Sequence, residues 1–585
     1  MITFQQFQEG MSSDEIEEKL KYVKLVLSVA KEMGKAETIS SLIPFLNDWC
    51  PDNDDEALTA LAKEIYTLNE LFTPDEMKYV LPILKHLATT EEVVVRDAAV
   101  ESINKIVENM SPSVVCEELI PVIEDLFHDE WFTPRVSSAS LISKVYGKIV
   151  SLVGVQDVSE SLKALRDCYF ALCKDDTPMV RRAAAKNIFA VFAVCEEEHV
   201  GLFVAQYEEF MTSDDEAIKL TLMNFTKELL VRVKEEVDRT KVLTLFQNSM
   251  ESRSYKIREM AALEVGGVAS VLGGEIFISQ LLETYMSLLK DNNAEVRKNA
   301  IKQLTELSKV IPQEIFLQKL FPFLPTLATD NSPVITYCHD MIMKCSEQIT
   351  GVVIDLSKLF PDKVATLFDL LLTSPTPQVR LLLLRRLNEV TLNETLVRRV
   401  VLDEGLDGPD WRVREEVAKH MAYLLSSTQG SPQQDKLIEI YLHLFVDSVS
   451  KVRETCRMSL CNVITSLGAD FAFENVSIIT KLEKQYKETT NYLLQFNTLY
   501  TYQAVIRTIP QDHRCQEMIN TIVTEMNNRV PNLRFISCRI ITDLAPLLPE
   551  NVKNMVATKM NELLKDEDRD VRYYAAKGLK VLGGL

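Results

Sequence analysis

The sequence predicts an all-α solenoid, a superhelix of about fifteen stacked pairs of antiparallel helices. Three observations predict it. The first is a recurring signature in which an apolar and a basic residue open an apolar-patterned helix. It reads VVVRDAAVESI (Val93 to Ile103), PMVRRAAAKNI (Pro178 to Ile188), AEVRKNAIKQL (Ala294 to Leu304), WRVREEVAKHM (Trp411 to Met421), SKVRETCRMSL (Ser450 to Leu460) and RDVRYYAAKGL (Arg569 to Leu579). The second is its spacing. Aligned on the basic residue, the units fall at Lys19, Leu58, Arg96, Arg135, Arg181, Lys219, Arg258, Arg297, Ile335, Arg380, Arg414, Arg453, Leu494, Arg534 and Arg572. Most successive intervals are 38 to 41 residues, a length that fits two helices and short turns. The third is that 585 residues exceed one ordinary core, yet no Gly/Ser/Pro-rich linker divides them and only 17 are Gly. A stack that grows in one dimension resolves this.

Within a unit the first helix comes first, marked by a Pro inside an apolar run. The runs are LIPFL (Leu42 to Leu46), VLPIL (Val80 to Leu84), LIPVI (Leu119 to Ile123) and LFPFL (Leu320 to Leu324). Pro lacks an amide hydrogen and its ring clashes with the preceding turn, so it starts or bends a helix. The turn comes next and is acidic. Asp176, Asp214, Asp291, Asp410, Asp447 and Asp566 precede their basic position by four to six residues. A carboxylate there can accept the free amides that open the second helix, or pair with an Arg of the adjacent unit. The set reads as an Asp/Arg ladder that fixes how units stack. The second helix is amphipathic: Ala300, Leu304, Leu307 and Ile311 make one apolar stripe. A lone hairpin cannot bury both its stripes, whereas stacking does, at about 25 cal/mol per Å² of apolar surface. Lys19, Leu58, Ile335 and Leu494 are placed by spacing more than by motif. Neighbouring intervals of 45 and 34 residues point to a distorted turn at Arg380.

Composition narrows the partners. The chain has 64 Lys and Arg against 85 Asp and Glu, a net charge of −21. That argues against nucleic acid and anionic membranes as ligands and favours partners with basic patches. No stretch approaches the ~20 apolar residues of a membrane span. MITFQQFQEG has neither a basic start nor a long apolar run, so no secretory leader is expected. The eleven Cys are scattered without a C-x-x-C pair, as expected of buried thiols in a cytosolic chain. The expected compartment is the cytoplasm, with the nucleus left open as a second one.

The residues do not point to catalysis. The seven His lie in different repeats, and the sequence contains no H-E-x-x-H, P-loop or Gly-rich dinucleotide turn. We therefore expect no enzyme activity, no cofactor and no metal. Several turns instead carry aromatic or apolar residues that a solenoid does not need there. They are DEWFTPR with Trp131 and Phe132, DDTPMVRR with Pro178 and Met179, DGPDWRVR with Trp411 and Arg412, and TNYLLQF with Tyr492 and Leu493. Turns occupy the same edge of every repeat, so these side chains should line one ridge. Trp, Tyr, Met and Arg are the types enriched at interface centres.

Those turns also carry a resemblance. TEEVVVRDAAVESI (Thr90 to Ile103), DEWFTPR, CKDDTPMVRRAAA (Cys173 to Ala185), DWRVR (Asp410 to Arg414), NYL (Asn491 to Leu493) and NLRF (Asn532 to Phe535) resemble the scaffold (A, or structural) subunits of protein phosphatase 2A, solenoids of fifteen HEAT repeats. The resemblance implies a non-catalytic scaffold whose intra-repeat turns hold an interchangeable regulatory B-type subunit near the N-terminus and the phosphatase catalytic subunit on the last five repeats. Matched residue by residue, it assigns Glu91, Glu92, Trp131, Phe132, Thr177, Pro178 and Met179 to the regulatory partner. It assigns Trp411, Arg412, Tyr492, Leu493 and Val530 to the catalytic partner. The corresponding segments are 1–300 and 395–585 of a single solenoid. The chain departs from the family where Ser450 replaces an aromatic, Gln495 replaces a basic residue, and Tyr255–Lys256 replaces Trp-Arg. HEAT-built hydroxylases bind iron through His-Glu pairs, and this chain has no His-Glu dipeptide. An alternative non-enzymatic reading is a nuclear-transport carrier of the importin-β type. That family is expected to have about twenty repeats and a long acidic loop, and neither is evident here.

Overall fold

The computed structural model describes residues 2–154, 157–328, 340–372, 377–390, 410–475 and 477–583. Among them the secondary structure is helical, with no strand. The fold is the all-α solenoid expected from the sequence. It divides into two compact units, Met1–Ile311 and Pro312–Leu585.

In the first unit the long second helices lie side by side in chain order: Asp55–Glu64, Val93–Asn109, Phe132–Val150, Pro178–Val194, Glu216–Arg232, Tyr255–Leu272 and Ala294–Val310. Their partners form a second layer that includes Pro112–Phe127, Ser159–Cys173, Val200–Thr212 and Glu236–Met250. The second unit repeats the scheme, with Trp411–Lys419, Ser450–Leu467, Tyr492–Thr508, Pro531–Leu544 and Arg569–Val581 as second helices. The apolar stripe read from Ala300, Leu304 and Leu307 is fully buried, and Ile311 closes it.

The first helices show what the internal Pro does. Pro44 and Pro82 start the helices Ile43–Trp49 and Leu81–Leu87, each preceded by an irregular turn, a π segment at Thr38–Leu42 and a 3-10 segment at Pro74–Val80. In the run near Phe321 a π segment and a 3-10 segment precede Leu324–Ala328. Each missing amide leaves a carbonyl without its i+4 donor, and the chain relaxes by changing pitch. Pro121 instead sits inside an unbroken helix, Pro112–Phe127.

The register of the second helices is strict. Lys19, Leu58, Arg96, Arg135, Arg181, Lys219, Arg258, Arg297, Arg380, Arg414, Arg453, Arg534 and Arg572 are each the fourth residue of their helix. Two expectations change. Arg380 is in register as the fourth residue of Pro377–Arg385, and the turn at 373–376 lies outside the described residues. Leu494 is one residue short: Gln495 holds the fourth position of Tyr492–Thr508. Ile335 lies outside the described residues.

A second device closes the hairpins, and the sequence reading did not find it. Fully buried tyrosines on first helices donate to backbone carbonyls of the second helix: Tyr169 to Ala184 O at 2.8 Å, Tyr285 to Ala300 O at 2.7 Å, Tyr441 to Cys456 O at 3.0 Å. Tyr207 makes the equivalent bond to the Thr226 hydroxyl at 2.7 Å. Each stands twelve residues before its anchor, a fixed offset that was available in the sequence. Buried polar atoms are costly unless bonded, so these clasps fix the hairpin geometry. The described cysteines are free thiols, and burial pushes those of Cys50 and Cys168 up to about 12.

Candidate partner-binding ridge

In several repeats the turn between paired helices is built by an Asp six residues before the anchor. Asp175, Asp291, Asp447 and Asp566 accept the amides of Thr177, Asn293, Val449 and Asp568 at 2.8, 2.8, 2.8 and 2.9 Å. The anchor Arg then donates Nη1 to that same residue's carbonyl. Arg181 reaches Asp175 O at 2.6 Å, Arg297 reaches Asp291 O at 2.6 Å, Arg453 reaches Asp447 O at 2.6 Å, and Arg572 reaches Asp566 O at 2.7 Å. The turn is thereby closed at both ends before any neighbour is involved.

The same Asp then receives the anchor of the preceding repeat. Arg135 grips Asp175 through Nε and Nη2 at 2.7 and 3.2 Å. Arg258 does so with Asp291 at 2.6 and 2.9 Å, Arg414 with Asp447 at 2.6 and 3.1 Å, and Arg534 with Asp566 at 2.8 and 2.8 Å. This is the expected ladder, with a corrected membership. Asp175, not Asp176, is the rung, because only the residue six before the anchor both shapes the turn and faces the previous repeat. Asp215, not Asp214, caps its helix and pairs with Arg182 at 2.9 Å. Asp410 caps its own helix by accepting from Arg412 N at 2.9 Å.

The ladder sets local charge. Hydrogen bonds from Arg534 are the largest influence on Asp566 and hold its carboxyl below the ordinary range. Burial is the largest influence on Asp175 and Asp447 and acts upward, yet Arg135, Arg414 and the turn amides together outweigh it, so both carboxyls are lowered.

With the turn held from within, the residues just before and just after the helix start point away from the core. The side chains singled out from the sequence occupy these stations. They sit at the helix N-terminus more than in the turn proper. Trp131 caps Phe132–Val150 and is 70% exposed, while Phe132, its first residue, is half-buried. Thr177 caps Pro178–Val194, whose first two residues, Pro178 and Met179, are exposed, Met179 by 55%. Glu91 and Glu92 are exposed before Val93–Asn109. A cleft of about 510 Å³ beside Trp131 is lined by Thr89, Glu91, Asp129, Phe132, Thr133 and Pro134. Its rim is acidic and its floor apolar.

In the second unit Tyr492 and Leu493 open their helix and are exposed, while Val530 caps Pro531–Leu544 and is half-buried. Trp411 is less free than a turn residue. It is the first residue of its helix, half-buried, with the Arg412 guanidinium 4.7 Å from the ring centroid. Val413 is fully buried behind it. Thr177 also has an internal task, its hydroxyl accepting from Arg135 Nη2 at 3.3 Å. Each unit therefore brings its own candidates to one edge. Two further exposed residues hold the same first-residue station, Val93 and Tyr255. The signal that finds them is an apolar or aromatic residue three before the anchor.

Comparison with known proteins places these features among relatives. The PPP2R1A-like HEAT repeat family matches residues 274–336. The chain is 31% identical over 269 residues to the A-type regulatory subunit of protein phosphatase PP2A from Schizosaccharomyces pombe, covering 45% of this chain and 44% of that one. It is 35% identical over 193 residues to the protein phosphatase 2A scaffold subunit of Dictyostelium discoideum, covering 33% and 32%. It is 36% identical over 182 residues to the beta isoform of the human 65 kDa A-type regulatory subunit of serine/threonine-protein phosphatase 2A, covering 31% and 29%. The matches thus span less than half the length of these relatives. Among solved structures, karyopherin Kap121p bound to the SUMO protease Ulp1p matches with a TM-score of 0.46 at 15% identity, over 99% of this chain and 70% of that one. The resemblance to phosphatase 2A scaffold subunits read from the turns is shown by these relatives.

Proposed function

We propose that this chain is the non-catalytic scaffold of a serine/threonine protein phosphatase 2A assembly, holding one catalytic and one regulatory subunit on its ridge. The observation that carries the reading is the ridge itself: apolar side chains left exposed at equivalent helix starts, in a chain whose relatives are named as phosphatase 2A scaffold and A-type regulatory subunits. Repeats 1–8, within 1–300, take the regulatory subunit through Glu91, Glu92, Trp131, Phe132, Thr177, Pro178 and Met179. Repeats 11–15, within 395–585, take the catalytic subunit through Trp411, Arg412, Tyr492, Leu493 and Val530. Tethering two subunits on one frame raises their effective concentration for each other, so the regulatory subunit can select substrates for an active site it does not contain. The acidic rim beside Trp131 favours a partner with a basic contact patch. We further propose a cytoplasmic location, with the nucleus open as a second compartment.

The test is a pair of binding titrations with purified phosphatase catalytic and regulatory subunits. Trp131→Ala with Met179→Ala should weaken only the regulatory subunit. Tyr492→Ala with Leu493→Ala should weaken only the catalytic subunit. Loss of an interface anchor costs about 2 kcal/mol, roughly thirtyfold in affinity. Trp411→Ala should weaken binding of the catalytic subunit. It should also lower the melting temperature slightly, since the half-buried ring carries Arg412. Equal losses toward both partners from either pair of substitutions would sink the division of the ridge. Hydrolase turnover that follows the isolated chain through purification would sink the scaffold reading.

A further inference from the structure

The second helices of the second unit carry a line of cations, and the ladder does not use it. At the station five residues after the anchor, the first two are neutralised internally. Arg385 Nε lies 3.5 Å from Glu416, and Lys419 lies 2.9 Å from Glu416 and 3.6 Å from Glu415. Further along, this pairing stops. Arg457, four after its anchor, and Arg539 and Lys577, five after theirs, make no hydrogen bond or ion pair with any described residue. Tyr500 holds the same station on the helix between Arg457 and Arg539. The Arg457 guanidinium stands 5.3 Å from the centroid of the Tyr500 ring. The next ring along, Tyr574, stacks on Phe535 with centroids 5.7 Å apart and planes 22° apart.

Two acids on the same helices are bonded elsewhere. Glu454 pairs with Lys451 at 3.1 Å, and Asp543 accepts from Gln503 Nε2 at 3.2 Å. Arg457 is half-buried, and desolvation there disfavours its charge. A partly desolvated guanidinium with no anion is costly, and the Tyr500 ring offsets only part of that cost.

We propose that Arg457, Tyr500, Arg539 and Lys577 form a docking groove for an extended acidic peptide segment of a partner protein, a surface separate from the ridge. Charge complementarity sets the chemistry, because three unpaired cations in line call for carboxylates in line. The aromatic rings decide against single-stranded nucleic acid, which needs open ring faces on which bases stack. Here Arg457 lies over one face of Tyr500 and Phe535 stacks on one face of Tyr574. Spacing follows from geometry. Packed helices stand about 8–10 Å apart, and an extended chain advances about 3.3 Å per residue. The groove therefore reads acidic side chains about three residues apart at Arg539 and Lys577 and about six apart across Tyr500.

The test uses the full chain and two fluorescent ten-residue peptides of the same composition. One has four Glu at every third position with Gly and Ser between, and the other has the four Glu adjacent. Fluorescence anisotropy should show saturable binding of the spaced peptide, weakened by salt, and at least fivefold weaker binding of the clustered one. Arg539→Ala, an exposed side chain whose loss leaves the fold intact, should reduce affinity about tenfold. Lys481→Ala, an exposed cation outside the line, should leave it unchanged. The proposal is overturned by absence of binding, by equal affinity for the two peptides, by equal loss in Arg539→Ala and Lys481→Ala, or by a thymidine oligonucleotide of the same length binding as tightly as the spaced peptide.

Discussion

Asp447 performs three tasks with one short side chain and its carbonyl. It accepts the Val449 amide, receives Arg414 through two bonds, and offers its carbonyl to Arg453. Its carboxylate is almost wholly buried, with side-chain exposure of 4%. Asp447→Ala should therefore cost about 2–3 kcal/mol, since it removes two bonds from the half-buried Arg414 guanidinium as well as opening the turn. Asp410→Ala removes a cap and a long, exposed ion pair to Arg412 at 3.8 Å, and should cost about 1 kcal/mol. Urea melts of the two variants check the difference. The same carboxylates set an acid limit. Asp175, Asp447 and Asp566 have folded-state values depressed below the ordinary 3.8. Their contribution is fully present above that ordinary value and is lost as pH falls through the depressed ones. The urea midpoint should stay level from neutral pH to about pH 5 and fall below about pH 4, and the fall should be smaller in Asp447→Ala.

At the scale of one repeat, the junction between Ser450–Leu467 and Tyr492–Thr508 shows what happens when a turn residue and its own anchor are both neutral. Thr489 stands where the Asp would be. Its hydroxyl accepts the Asn491 amide at 3.1 Å and its carbonyl accepts Gln495 Nε2 at 3.3 Å. The turn keeps its shape, but Arg453 Nε is buried without a partner. Thr489→Asp should supply the missing acceptor and stabilise the chain by about 1 kcal/mol, measured as a higher urea midpoint. Adding Gln495→Arg should extend the gain. No gain from Thr489→Asp would show that Arg453 is solvated well enough already. This junction also shows what the sequence could reveal. The helix period, the anchor register and the outward stations were legible because each depends on residues within one turn of one another. Leu494 was misplaced because Gln495 lacks the charge that marks an anchor, although it makes the same bond. Asp176 and Asp214 were named in place of Asp175 and Asp215 because adjacent carboxylates look alike in sequence and only the backbone direction separates them. The contact of Trp411 with Arg412 depends on side-chain orientation, which spacing does not encode.

At the scale of the chain, Met1–Ile311 and Pro312–Leu585 each have their own buried core. Arrays of this kind need not unfold as one cooperative unit. We expect tryptophan fluorescence and far-ultraviolet circular dichroism to give different urea midpoints. In a Trp411→Phe background the buried Trp49, whose indole donates to Met11 O at 2.8 Å, reports the first unit, whereas ellipticity averages over both. Coincident curves would show a single cooperative transition. The rungs add a direction to this. At each of the bidentate junctions the Arg belongs to the earlier repeat and the Asp to the later one, so a hairpin can shape its own turn at once but must wait for its successor to neutralise its anchor. On a ribosome, where the chain emerges from its N-terminus, the later repeat at each of these junctions therefore neutralises the anchor of the one already made. Synthesis and stacking run the same way, and a nascent chain halted at one of these junctions carries an anchor guanidinium still waiting for its carboxylate as the mark of where it stopped.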